Sequence, residues 1–216
     1  MEENNNNEEN VKVTLLGDSG VGKTCIIKKY INGIYNDNTE STPGASYSQR
    51  ILDIQNRTIR LDIWDTAGQE RYLSVGRHLY KDAYIVCLVY DITNAISFKN
   101  VKEKWYSELK TYGEKYHIVA IVGAKSDCYA NEQVSENEAE EYAKSIGAIF
   151  MQTSAKEGTN IDLLFETLVR QYLGPEFSKK VEEIKKDKGE VKKVKKEEVV
   201  KENKERKKKK KKKIPC

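Results

Sequence analysis

The chain predicts an α/β fold, a mostly parallel sheet covered by helices on both faces. Three observations carry this. Tyr84–Tyr90 and Ile118–Gly123 are short, continuous apolar runs, as strands buried on both faces should be. Between them Phe98, Val101, Trp105 and Leu109 recur at helical spacing after Ser97, which is read as the N-cap, and the aromatic stripe is read as core packing. Only one hairpin signal is present, Ser46–Ile54 with Thr58–Trp64 across Gln55–Arg57. The remaining elements alternate in the same way. Val11–Leu16 reads as a strand, then a Gly-rich turn, then a helix over Lys23–Ile31. Ser135 with Glu138 fits a capping box and Gly147 fits the end of the helix it opens. Ile149–Gln152 is the last strand. Ile161, Leu164, Phe165, Leu168, Val169 and Tyr172 line one face of a final helix stopped by Gly174-Pro175. No internal repeat is evident.

Composition divides the chain of 216 residues. The apolar share of 38% is low and the charged share of 33% is high, which marks part of the chain as unfolded. The expected organisation is a disordered Asn/Glu-rich N-terminus over 1–10, one folded domain over 11–174, and a flexible basic tail over 175–216. From Pro175 to Cys216 there are 19 Lys and Arg against 9 Asp and Glu, a net +10. Since the whole chain carries +4, residues 1–174 carry −6. Such a tail seeks an anionic surface. Cys25, Cys87, Cys128 and Cys216 show no paired or metal-ligand spacing, as in a reduced intracellular protein. Met1–Asn10 is polar and acidic, unlike a signal peptide. The longest apolar run is far shorter than the ~20 residues a membrane helix needs, so any membrane association is expected to come from an anchor.

The chemistry is concentrated at strand ends. Gly17-Asp18-Ser19-Gly20-Val21-Gly22-Lys23-Thr24 fits G-x-x-x-x-G-K-S/T between a predicted strand and a predicted helix. Its glycines let the backbone curl so that successive N–H groups face phosphate oxygens, and the helix N-terminus favours the anion. Lys23 would reach the β- and γ-phosphates, and the Thr24 hydroxyl would ligate Mg²⁺. Ala124-Lys125-Ser126-Asp127 follows the Ile118–Gly123 strand. A carboxylate there can accept from the guanine N1–H and 2-amino groups, and adenine offers neither, so Asp127 would select guanine. The Lys125 stem can cover the base, and Ser154-Ala155-Lys156 can offer backbone N–H to the guanine O6. Asp65-Thr66-Ala67-Gly68-Gln69-Glu70 follows the strand ending in Trp64. Asp65 would hold Mg²⁺ through a water, the Gly68 N–H would bond the γ-phosphate, and Gln69 would orient the attacking water.

These motifs together resemble the small GTPases of the Ras superfamily across Val11–Leu173. The Rab branch fits best, through the phosphate loop, Trp64-Asp65-Thr66-Ala67-Gly68-Gln69-Glu70-Arg71-Tyr72, Val89-Tyr90-Asp91-Ile92-Thr93, and Ser97-Phe98 with Asn100-Val101-Lys102 and Trp105. The resemblance implies the P-loop NTPase architecture of a small G domain, with a six-stranded, mostly parallel sheet and five helices. It implies slow GTP hydrolysis to GDP and phosphate, with exchange factors, GTPase-activating proteins, effectors and prenyl-Rab escort proteins as partners. It places Thr42 on Mg²⁺ and the γ-phosphate, so that losing those contacts releases the loop, and Tyr35 on the guanine. The expected nucleotide-binding set is therefore Gly17, Ser19, Gly20, Val21, Gly22, Lys23, Thr24, Cys25, Tyr35, Thr42, Gly68, Lys125, Asp127, Ser154, Ala155 and Lys156. Gln69, Lys23 and Gly68 form the catalytic set.

The chain also departs from the family. Ala124 stands where the family has an Asn that bonds the base and ties it to the phosphate loop. Its loss predicts weaker nucleotide binding and faster exchange. Thr42-Pro43-Gly44-Ala45-Ser46-Tyr47 matches the Rab pattern only at Thr42, Gly44 and the aromatic end, and Lys81-Asp82 replaces the usual Arg-Gly. Arg206 and Lys207–Lys213 precede Ile214-Pro215-Cys216. Rab proteins commonly end in prenylated cysteines, so Cys216 is the expected lipidation site, although C-a-a-X is absent. One lipid chain binds reversibly, and the lysine run on an anionic leaflet would be the second signal. The run also suits nuclear localisation or nucleic acid, but no interleaved aromatics support base stacking, and no nucleic acid is expected. His78 and His117 have no catalytic partner in the motifs. The leading expectation is a trafficking switch on the cytosolic face of membranes. The alternative is a fast-exchanging, mostly GTP-loaded binding module, and a Ras- or Rho-like signalling protein fits less well without C-a-a-X.

Overall fold

The computed structural model describes residues 9–37, 42, 44–66, 78–113, 118–175 and 179. The chain divides into two units, Met1–Leu173 and Gly174–Cys216, and the elements below all belong to the first. The six strands are β1 (Glu9–Leu16), β2 (Ser46–Ile54), β3 (Arg57–Asp65), β4 (Ile85–Asp91), β5 (Ile118–Ala124) and β6 (Ile149–Thr153). They form one sheet in the order β2-β3-β1-β4-β5-β6. Only β2 is antiparallel to its neighbour, and every other pairing is parallel. This is the mixed, doubly covered sheet that the apolar runs predict. β4 is buried along its whole length, as a central parallel strand must be. The hairpin turn is tighter than expected. Gln55 and Asn56 alone make it, with φ of 53° and 60°, the left-handed pair that matches strand twist in a two-residue turn.

The helices described over their whole length are α1 (Lys23–Asn32), α2 (Ala95–Asn100), α3 (Tyr106–Tyr112), α4 (Glu136–Ser145) and α5 (Ile161–Tyr172). A π-helical turn, Val101–Trp105, joins α2 to α3 without a break, and a 3₁₀ turn spans Ser126–Asn131. Helix α5 lies against α1, where Phe165 stacks on Tyr30 with ring centroids 3.8 Å apart. On the other face Phe98, Val101, Trp105 and Leu109 pack with Ala139 and Ala143 over Leu16, Leu88, Tyr90 and Ile121. The aromatic stripe is therefore core, as read.

Two capping details bear on that reading. The Ser135 hydroxyl accepts from Glu138 N at 3.2 Å, and Gly147 ends α4 with φ of 67°, as the capping box predicts. Ser97 is not the N-cap of α2. Asn94 holds that place, its Oδ1 accepting from Ile96 N and Ser97 N. Ser97 is buried inside the helix, where its hydroxyl accepts from Asp91 N at 3.0 Å and donates to Asn94 O at 2.7 Å. Both residues are good capping types three apart, and the one nearer solvent took the role because Asp91, at the end of β4, needed a buried acceptor for its N–H.

Candidate functional site

The parallel strands β1, β3, β4 and β5 end on one side of the sheet, and the chemistry-bearing residues follow those ends. In open α/β sheets ligands bind there, where neighbouring strands send their crossovers to opposite faces. Gly17 leaves β1 so close to β4 that a Cβ would stand 2.2 Å from the Val89 carbonyl oxygen. Gly22 then takes φ of 111° as the N-cap of α1, a conformation that costs other residues heavily. The result is a curled loop ahead of a helix N-terminus.

Lys23 is buried, and its ammonium donates to the carbonyl oxygens of Gly17 and Asp18, both at 2.8 Å. Burial pulls its pKa down to about 8, opposed by the charges of Asp65 and Asp18. The sequence places this ammonium on phosphates. Here it spans the loop from inside, holding it closed around the position where an anion would sit.

Three oxygens from distant parts of the chain converge next to it. The Thr24 hydroxyl donates to Asp65 Oδ2 at 2.6 Å and lies 2.7 Å from the Thr42 hydroxyl. The Thr42 hydroxyl reaches the same carboxylate oxygen at 3.3 Å. Burial raises the Asp65 pKa, against the lowering pull of the Thr24 hydroxyl and Lys23. The second oxygen, Asp65 Oδ1, is buried with no hydrogen-bond partner. A buried, unpartnered carboxylate oxygen beside two hydroxyls is a donor set suited to a hard cation.

A cavity of about 160 Å³ opens on the other side of Gly22. Its wall comprises Gly22, Cys25, Ile26, Tyr35, Asp37, Ala124, Lys125, Asp127, Cys128, Ala155 and Lys156. The sequence groups Cys25, Tyr35, Lys125, Asp127, Ala155 and Lys156 as binding residues, and the fold brings all six to this one cavity. Asp127 Oδ1 accepts from the Ser154 hydroxyl at 2.6 Å. Burial works against its charge, but that hydroxyl, a backbone N–H and the nearby Cys128 and Lys156 outweigh it and hold the carboxyl below its usual range. Tyr35 donates to Asp37 at 2.9 Å, and its own pKa is pushed up to about 12 by burial and that carboxylate. Lys125 sits at φ of 64°, an uncommon left-handed conformation for a residue with a side chain. Its ammonium is pinned to Asp91 Oδ2 at 2.6 Å.

One expected role changes. The Ser154 N–H is bonded to Thr159 O at 3.0 Å, so it is not offered to a ligand, and Ser154 acts through its hydroxyl on Asp127. Gly68, Gln69, His117 and Cys216 lie outside the described residues. His78 contributes its carbonyl oxygen to Lys12 Nζ at 3.0 Å, a structural contact. Sequence reasoning missed Asp91, although its place at a strand end was a signal, and it missed the partners of Asp18. Asp18 accepts from Asn100 Nδ2 at 2.7 Å and Trp105 Nε1 at 2.8 Å.

The Ras family model matches residues 12–174. This chain belongs to the Ras family of small GTPases. Within the superfamily it is most like the Rab branch. It is 40% identical over 161 residues to Ras-related protein Rab-26 of Rattus norvegicus, which covers 74% of this chain and 62% of that relative. It is also 40% identical over 168 residues to Ras-related protein Rab5A of Oryza sativa subsp. japonica, covering 78% of this chain and 82% of the relative. The match thus spans under two thirds of the length of Rab-26.

The Ser154–Asp127 bond makes a pH-dependent contribution. A carboxyl held below its usual range stabilises the fold at pH values above the ordinary carboxylate pKa, and that contribution is lost as pH falls through the lowered value. In Ser154→Ala the loss should begin at higher pH. Side-chain NMR titration of Asp127 checks this, and an unmoved titration would contradict the assigned cause.

Proposed function

We propose that this chain is a Rab-like switch that hydrolyses GTP and, by cycling between GTP-bound and GDP-bound states, regulates intracellular vesicle and membrane trafficking. The observation that carries the reading is the convergence of the Thr24, Thr42 and Asp65 oxygens beside the buried Lys23 ammonium. Gly22, two residues before Thr24, lies in the wall of the cavity that Asp127 lines. A polyphosphate chain and a base attached to it have matching places.

In this reading Lys23 and the loop N–H groups bind the β- and γ-phosphates, and the guanine edge meets Asp127. Lys125 covers the base, Tyr35 stacks on it, and the amides of Ala155 and Lys156 meet its O6. Thr24 and Thr42, and Asp65 through a water, would hold magnesium, which would neutralise phosphate charge. Gly68 and Gln69 rest on motif alone, Gly68 for the γ-phosphate and Gln69 for the attacking water. Rate acceleration then comes from positioning and from donors fixed in advance of the reaction. Thr42 ties its loop to the nucleotide state, which exchange factors, activating proteins and effectors would sense. Kinship with Rab proteins does not favour the fast-exchanging binding module.

Among the described residues no helix is long and apolar enough to cross a membrane. Attachment to the cytosolic face is assigned to Cys216 and the Arg206–Lys213 run, with prenyl-Rab escort proteins as carriers.

Stripped protein reloaded with magnesium present should take up GTP and not ATP, and Ala124→Asn should slow GDP release about tenfold, the worth of one or two buried hydrogen bonds. Equal uptake of ATP, or release unchanged by the substitution, would refute these assignments. Gln69→Leu should retain GTP when an activating protein is added, whereas normal stimulated hydrolysis would remove Gln69 from its role. Deleting Cys216 should move tagged protein from membranes to the soluble fraction, and an unmodified native C-terminus by mass spectrometry would contradict the anchor.

A further inference from the structure

Asp18 is an acid inside a loop whose task is to hold anions. Left free, its carboxylate could swing toward a bound phosphate and repel it. It is not free. Each of its oxygens accepts from one donor of the same helical segment, Oδ1 from the Trp105 indole and Oδ2 from the Asn100 amide.

That arrangement depends on the π-helical turn. In an α-helix residues five apart point about 140° away from each other, so Asn100 and Trp105 could not both reach one carboxylate. In Val101–Trp105 the ladder widens, with Tyr106 N bonding Val101 O five residues back. The widened turn brings residues five apart closer to one face, and both donors meet the loop. Turns of this kind recur at functional sites. The core takes Phe98, Val101, Trp105 and Leu109 from this segment, and Asn100 is not part of it.

We infer that Asn100 and Trp105 are positioning residues for the phosphate loop, clamping it through Asp18 in the conformation that grips the nucleotide. The clamp rests on the reading of this site as a guanine-nucleotide site. It turns the Asp18 charge toward the helix, while the Asp18 carbonyl oxygen holds the Lys23 ammonium. Opening the loop to release nucleotide requires breaking two hydrogen bonds to a carboxylate, which are stronger than neutral ones.

The test is GDP release from the full chain loaded with GDP and magnesium. Asn100→Ala removes a half-buried donor without touching the core, and Trp105→Phe removes the indole N–H while keeping a ring. Each should speed release about tenfold. The same substitutions made in an Asp18→Ala background should change release less than twofold, because nothing remains to clamp. If Asn100→Ala leaves release within twofold of the parent, or if both substitutions act equally with and without Asp18, the clamp is overturned and the residues act through packing. Failure of the parent chain to take up guanine nucleotide would instead overturn the reading beneath it.

Discussion

The contact between Gly17 and the backbone of β4 is the constraint on which the site is built. A Cβ at Gly17 would stand 2.2 Å from Val89 O, so the chain can leave β1 in that direction only without a side chain. That exit turns the loop over the end of the sheet and starts α1 at Lys23. Thr24 is thereby set beside Asp65, which ends β3, the strand paired to β1 on its other side. Because β1, β3, β4 and β5 run parallel, Asp65, Asp91 and the segment holding Asp127 all arrive at the same end. One backbone approach thus fixes the relative places of side chains more than 100 residues apart.

Four carboxylates surround a place suited to anions, which calls for an explanation. Two unit charges about 6 Å apart at an effective dielectric of about 20 repel by roughly 3 kcal/mol, so unshielded acids would spoil the site. Three of them are engaged elsewhere. Asp18 is held by Asn100 and Trp105, Asp91 by Lys125 and Thr93, and Asp127 by Ser154. Asp65 is the exception, with one oxygen on Thr24 and the other buried without a partner. The acid with an unmet oxygen is the one beside the two hydroxyls, which is why the cation is assigned there.

The sheet and the place of Asp127 beyond the end of β5 were legible in the sequence because local patterns determine them. Continuous apolar runs marked β4 and β5, and fixed spacings marked the phosphate loop. What was not legible depends on contacts between distant residues or on an irregular backbone. The donors to Asp18 lie 82 and 87 residues away, on a helix whose register the π turn alters, so a 3.6-residue period places Trp105 in the core and nowhere else. Ser97 misled because its hydroxyl serves β4, a partner that spacing cannot show. Ser154 misled because the turn after β6 folds Thr159 back onto its N–H.

Ala124 changes how the two halves of the pocket are joined. Its Cβ faces Gly22 across a gap such that a Cβ on Gly22 would lie 3.5 Å away. An amide in that position could reach the phosphate loop, whereas a methyl group offers only van der Waals contact. The base segment is held instead through Lys125 and Asp91 to β4, and the phosphate loop through Asp18 to the π turn. Neither anchor connects one half to the other. At Ala124 the base half therefore lends the phosphate half no hydrogen bond. A chain with this division depends more heavily on the Asp18 anchor than one in which an Asn bridges the halves.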